Sequence, residues 1–135
     1  MKEKSFSTAD FGLAMAMNGA LIIAVQPFVI PRLSSLSRRT LLALASALTG
    51  AGFGLTALAS TVPQYMATVA VWTLGEIVYA PVNASIVADM APPDLRGRYQ
   101  GAFHLTFSLA GIVAPILGPW LIASTSLLTL WLACA

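Results

Sequence analysis

Glu76 is the residue in this chain whose chemistry most needs explaining. It sits inside an apolar run, Tyr65 to Ala88. A carboxylate near the centre of a bilayer costs at least about 2.5–3.5 kcal/mol on insertion scales, so one kept there is paired, protonated or used. In the functional reading Glu76 faces a central cavity near the midplane and exchanges a proton, coupling proton uptake to substrate exit. The alternative is a helix–helix hydrogen bond inside a bundle, with Gly75 permitting close packing. Asn18, Gln26 and Asn83 are amides inside apolar runs. Each needs a partner, because an unsatisfied amide in hydrocarbon costs several kcal/mol. Gln26 and Asn83 join Glu76 as candidate cavity groups, with interhelical bonding as their alternative role. Arg32 and Asp89 fall at the ends of two runs on one side of the membrane, where an ion pair between them would close that side as a cytoplasmic gate. His104 reads as an interfacial histidine, with a place in a proton relay as the alternative.

These residues need a bilayer around them. Of 135 residues, 58% are hydrophobic and 9% charged, where a soluble domain carries roughly 25% charged residues. A soluble chain of this length could not bury so much apolar surface, so an all-α integral membrane protein is expected. A formal charge of +2, spread thinly, argues against nucleic-acid binding. One cysteine, Cys134, and one histidine supply neither a disulfide framework nor a metal-ligand cluster. Glycine-rich phosphate loops, paired nucleophile motifs and cofactor fingerprints are missing from the sequence, so neither catalysis nor a cofactor is expected.

Four runs are long enough to cross about 30 Å of hydrocarbon: about 11–30, 41–60, 65–88 and 100–123. A fifth, 126–135, is too short to cross. The first run is expected to end at Pro31-Arg32, and Pro92-Pro93 to end the third. Lys2, Glu3, Lys4 and Asp10 precede a run too long for a signal-peptide core, so it is read as a span. Arginines occur in the 31–40 and 89–99 segments, whereas the segments near 60–64 and 124–126 carry no charge. The positive-inside rule puts the arginine segments in the cytoplasm and the N-terminus outside. Arg38, Arg39, Arg96 and Arg98 read as cytoplasmic anchors to anionic headgroups. Gly50, Gly52 and Gly54 form a small-residue stripe for close packing. An outside N-terminus and a fifth run that stops in mid-helix lead to the expectation that both ends are cut from a longer protein.

Several phrases carry a resemblance. Pro27-Phe28-Val29-Ile30-Pro31-Arg32-Leu33, followed by Ser37-Arg38-Arg39-Thr40, resembles a degenerate copy of the G-x-L-a-D-R-x-G-R-[RK] loop of major facilitator superfamily transporters. Arg32, Arg38 and Arg39 match, while Pro31 replaces the acid and the leading glycine is missing. Val87-Ala88-Asp89-Met90-Ala91-Pro92 with Arg96-Gly97-Arg98 is similar to the family's loop between its tenth and eleventh helices. Gly111-Ile112-Val113-Ala114-Pro115-Ile116-Leu117-Gly118-Pro119 echoes the antiporter signature of helix five.

The resemblance implies part of a twelve-helix bundle: residues 1–135 as a partial C-terminal transmembrane half, with the N-terminal half as the competing assignment. It implies a multi-pass protein of the plasma membrane that exports small molecules or drugs by proton antiport. Its partners would be a small-molecule substrate, protons, the lipid bilayer and a missing N-terminal half. It also supports a charge relay between Arg32 and Asp89. Two other readings stay open, a small membrane protein with a structural or partner-binding role and a non-functional truncated remnant.

Overall fold

The computed structural model describes residues 7–33 and 35–134; Lys2, Glu3 and Lys4 lie outside the described residues. Five helices follow one another: α1 Thr8–Leu33, α2 Arg38–Leu58, α3 Val62–Met90, α4 Arg96–Ser124 and the short α5 Leu127–Cys134. The first four are long and apolar enough to cross a membrane.

Local chemistry explains most of the starts. Ser7 and Asp10 cap α1 reciprocally: the Ser7 hydroxyl accepts from the Asp10 N–H at 3.1 Å, and the Asp10 carboxylate accepts from the Ser7 N–H at 2.9 Å. Ser37 accepts from the Thr40 N–H at the head of α2. Thr61 and Gln64 form a capping box for α3, which satisfies two orphan donors at once. Ser126 accepts from the Thr129 N–H ahead of α5. At α4 the cap position is Leu95, without a side-chain cap, and Arg96 and Arg98 stand in its first turn. Cations there oppose the helix dipole, so helix stability does not explain them.

The expected end of the first span at Pro31 is corrected. α1 runs through Pro27 and Pro31 to Leu33. Proline is tolerated in spanning helices where neighbouring groups re-satisfy the freed carbonyls. The third helix ends at Met90, before Pro92-Pro93.

α3 is the centre of the bundle, packed against α1, α2 and α4, while α5 leans on α2 and α4. α2 and α3 run antiparallel, with Ala45 and Thr49 beside Gly75 and Gly52 beside Trp72. One apolar cluster joins Leu41 and Ala45 to Val78 and Val82. Another joins Ala14 of α1 and Ala59 to Tyr65 and Val69. Between them the Thr56 and Thr68 hydroxyl oxygens stand 3.0 Å apart, each hydroxyl also bonded to a carbonyl of its own helix.

Two glycines set how closely α2 and α3 approach. A Cβ on Gly52 would lie 2.6 Å from Trp72 Cβ, and one on Gly75 would strike Thr49 Oγ1 and the Ala45 carbonyl. Lipid supplies little hydrophobic drive between helices, so this approach and the polar contacts hold the pair together. α4 contrasts with them, having no buried residue.

Replacing Gly75 with Ala should therefore destabilise the native protein by about 1–3 kcal/mol, the usual penalty of overpacking, in a detergent–SDS unfolding titration. Gly111→Ala, where a Cβ meets nothing within 4 Å, should be neutral or slightly stabilising by helix propensity.

Candidate functional site

Glu76 lies half-buried on α3. From α1, Asn18 Nδ2 donates to Glu76 Oε2 at 2.9 Å and to Thr73 Oγ1 at 3.0 Å. The Thr73 hydroxyl donates to the Val69 carbonyl at 2.7 Å, which leaves its lone pairs to receive Asn18. Both amide protons of Asn18 are thereby used. A hydrogen bond to a charged group is worth about 1.5–3 kcal/mol, and this one offsets much of the cost of placing a carboxylate at membrane depth.

Glu76 also lines a cavity of about 550 Å³ bounded by α2, α3, α4 and α5. Its walls are aromatic, formed by Phe53, Trp72, Tyr79, Phe103 and Phe107, with Glu76 and His104 as polar points. No α1 residue lines it among the described residues, so Asn18 reaches the carboxylate from outside the wall. Phe53 stacks on Trp72 with centroids 5.6 Å apart and on Trp131 of α5 at 6.1 Å. Phe103 meets Phe107 edge-on at 5.2 Å. Each wall is a helical stripe: Ser46, Thr49, Gly50 and Phe53 on α2; Trp72, Glu76, Tyr79 and Ala80 on α3; Phe103, His104 and Phe107 on α4. Spacings of three and four residues put such groups on one face. Gly50 thus faces the cavity, and the tight contact of the glycine stripe falls to Gly52.

Gln26 and Asn83, expected beside Glu76, do not line the cavity. Gln26 belongs to α1, which contributes nothing to the wall. Ala80 and Ala84 face the cavity from α3, and Asn83, one residue before Ala84, is turned about 100° around the helix. Its Nδ2 is buried without a hydrogen-bond partner among the described residues.

His104, read as interfacial, stands on the cavity wall with its ring 5.6 Å from that of Phe103. Counted from the apolar run it falls near the first turn. The helix, however, begins at Arg96, which puts His104 about two turns in.

The charged ends also differ from expectation. Asp89 pairs with Arg38, the first residue of α2, and not with Arg32. Antiparallel packing of α2 on α3 brings the start of one helix beside the end of the other. The Arg32 guanidinium turns back onto its own helix and donates to the Phe28 carbonyl at 2.7 Å, satisfying an acceptor near the helix end. Arg38 is therefore an ion-pair partner as well as a basic group at the membrane edge. Arg39, Arg96 and Arg98 are exposed at the same end of the bundle. Nearby, Gln100 Nε2 donates to the Ala84 carbonyl at 2.7 Å and ties α4 to α3. Among the described residues no cluster of His, Cys, Asp and Glu is placed to hold a metal.

Four helices long and apolar enough to cross a membrane are thus joined with a cavity whose wall carries a single carboxylate. The chain belongs to the Major Facilitator Superfamily, whose family model matches residues 1–135. It is 27% identical to a Na(+), Li(+), K(+)/H(+) antiporter of Planococcus maritimus, over 79% of this chain and 25% of that protein. It is 31% identical to Multidrug resistance protein 3 of Bacillus subtilis (strain 168), over 50% of this chain and 13% of that protein. With Multidrug resistance protein MdtH of Aeromonas salmonicida (strain A449) it shares 28% identity, over 55% of this chain and 22% of the relative. The chain thus spans a quarter or less of the length of these relatives. No solved structure matches it.

A double-mutant cycle in the native protein tests the ion pair. Arg38→Ala and Asp89→Ala should couple by about 0.2–1 kcal/mol, the usual range for exposed pairs, since both side chains are more than half exposed (54% and 56%). The coupling should fade with salt. Arg32→Ala with Asp89→Ala should show none.

Proposed function

We propose that this chain forms part of a secondary transporter of the plasma membrane that exports small organic cations in exchange for protons, with Glu76 as the coupling group. The observation that carries the reading is the Glu76 carboxylate, held by Asn18 from α1 and opening onto an aromatic cavity of about 550 Å³. That volume suits a drug-sized molecule. Aromatic faces attract a cation by about 0.5–2 kcal/mol each, more where water is excluded, and the carboxylate supplies the opposite charge. A proton on Glu76 and a cation beside it compete for one negative charge, which is the requirement for exchange. The printed names of the relatives, an antiporter and two multidrug resistance proteins, agree with that pairing.

Exchange of an alkali cation is the second reading, favoured by the name of the Planococcus relative. The cavity lining argues against it. Alkali ions need a compact set of oxygen ligands, whereas the side-chain oxygens here, from Ser46, Thr49, Glu76 and Tyr79, share a cavity of about 550 Å³ with five aromatic rings.

In the leading reading the Arg38–Asp89 pair and the Gln100–Ala84 bond hold the arginine-bearing, cytoplasmic end of α3 against α2 and α4, and opening toward that side breaks them. Further helices of the same transporter complete the cavity, as in folds built from repeated halves.

Glu76→Gln removes the exchangeable proton and keeps the shape of the side chain. In the native protein it should abolish proton-coupled export of a lipophilic cation while leaving membrane insertion intact, measured as substrate-induced pH change in everted vesicles. Undiminished export by Glu76→Gln would exclude Glu76 from the mechanism.

A further inference from the structure

His104 is the second protonatable group on the wall that carries Glu76, and the function proposed above makes no use of it. It projects from α4 with Phe103 and Phe107, and its side chain is exposed to the cavity space. The other titratable groups on that wall are Glu76 and Tyr79 from α3 and Cys134 from α5, while α2 contributes none among the described residues. Imidazole is the side chain whose charge ordinarily changes between pH 5 and 8.

Depth separates the two groups. His104 lies eight residues beyond Arg96, about 12 Å along the helix at 1.5 Å per residue. Glu76 lies fourteen residues before the end of α3 at Met90, about 21 Å from the same end of the bundle. His104 is the shallower, standing between the arginine-bearing end and the carboxylate.

We propose that His104 is a second proton site of the transport cavity, on the path between Glu76 and the arginine-bearing end, whose protonated form excludes a cationic substrate. The inference rests on the organic-cation reading of the cavity. With His104 neutral and Glu76 ionised, the two wall groups carry one negative charge that a cation can balance. A proton on the imidazole brings their sum to zero, and a bound cation then faces a like charge across a poorly screened space. A second proton on Glu76 leaves the pair net positive. A proton on either group therefore opposes loading of the cation, and protons return to the wall when the cation leaves. The flanking phenyl rings supply contact area and hold the imidazole on the wall. His104 is thus a specificity-determining residue that acts through charge.

The test is binding of tetraphenylphosphonium to the native protein in detergent between pH 5.5 and pH 8. For the wild type the affinity should fall with acidification more steeply than for any variant that lacks the imidazole, each competing proton contributing up to a factor of ten per pH unit. His104→Gln, permanently neutral, should bind as the wild type does at pH 8 and fall by no more than tenfold per unit. His104→Arg, permanently charged, should bind at pH 8 about as weakly as the wild type does at acid pH. If His104→Gln keeps the full wild-type slope, or His104→Arg binds like the wild type at pH 8, the inference is overturned. Glu76→Gln should lose most of the affinity and keep the part of the slope that His104 supplies. Absence of tetraphenylphosphonium binding by the wild type at every pH would instead reject the organic-cation reading, and this inference with it.

Discussion

One hydrogen bond between two helices organises this bundle. A carboxylate at the depth of Glu76 is tolerated only with a donor nearby, and the donor comes from α1, a helix fifty-eight residues away in sequence. Asn18 serves the carboxylate and the Thr73 hydroxyl with one amide group. This requires α1 to lie along α3 in a fixed register, and the small Ala14 packed near Val69 permits that approach. The position of α1 and the ionisable state of the cavity are consequently linked. Protonation of Glu76 weakens a charge-assisted bond to roughly the strength of a neutral one, so the force drawing α1 to α3 varies with the occupancy of the carboxylate.

The remaining helices divide into a rigid pair and a loose one. α2 and α3 meet at two glycines with no room for a methyl group, and two apolar clusters and a threonine contact run along the same seam. Where α2 turns past that seam, Ser46, Thr49, Gly50 and Phe53 face away into the cavity. α4 stands off on the far side, joined to α3 through the Gln100 side chain and otherwise largely exposed. The cavity therefore lies between a tightly packed wall and a sparsely packed one. The division arises from side-chain size, because in lipid the closeness of two helices is set by what lies between them.

The class of fold was plain in the sequence, since four charge-poor runs of about twenty residues admit few other structures. Helix facing was far less legible. Spanning helices are apolar all round, so periodicity does not mark the side that meets another helix, and Gln26 and Asn83 looked as eligible for the cavity as Glu76. The arginine-bearing ends misled for a different reason. Arg32 and Arg38 are both near enough in sequence to meet Asp89, and only the antiparallel seam of α2 on α3 favours Arg38. The place of His104 on the cavity wall was not legible either, because an apolar run marks the hydrocarbon and not the helix face, and α4 begins four residues before that run, at Arg96. A stripe search would have found it: Phe103, His104 and Phe107 on one helix and Trp72, Glu76 and Ala80 on another repeat at helical spacing.

The charge of the cavity explains why coupling needs so little machinery. Two unit charges about 4 Å apart interact by about 4 kcal/mol at an effective dielectric constant of 20. A cation leaving Glu76 without replacement would forfeit an interaction of that order, and the bare carboxylate would rely on Asn18 alone. A proton arriving as the cation departs removes the deficit. Empty and ionised is then the least favourable condition of the cavity, and protonated or cation-filled are its two stable ones. The proposed exchange follows from that inequality if the helices around Glu76 move only when one of the two is bound. In that proposal the Asn18 bond, which is strongest to an ionised carboxylate, is the contact that holds α1 against α3 until the charge is neutralised.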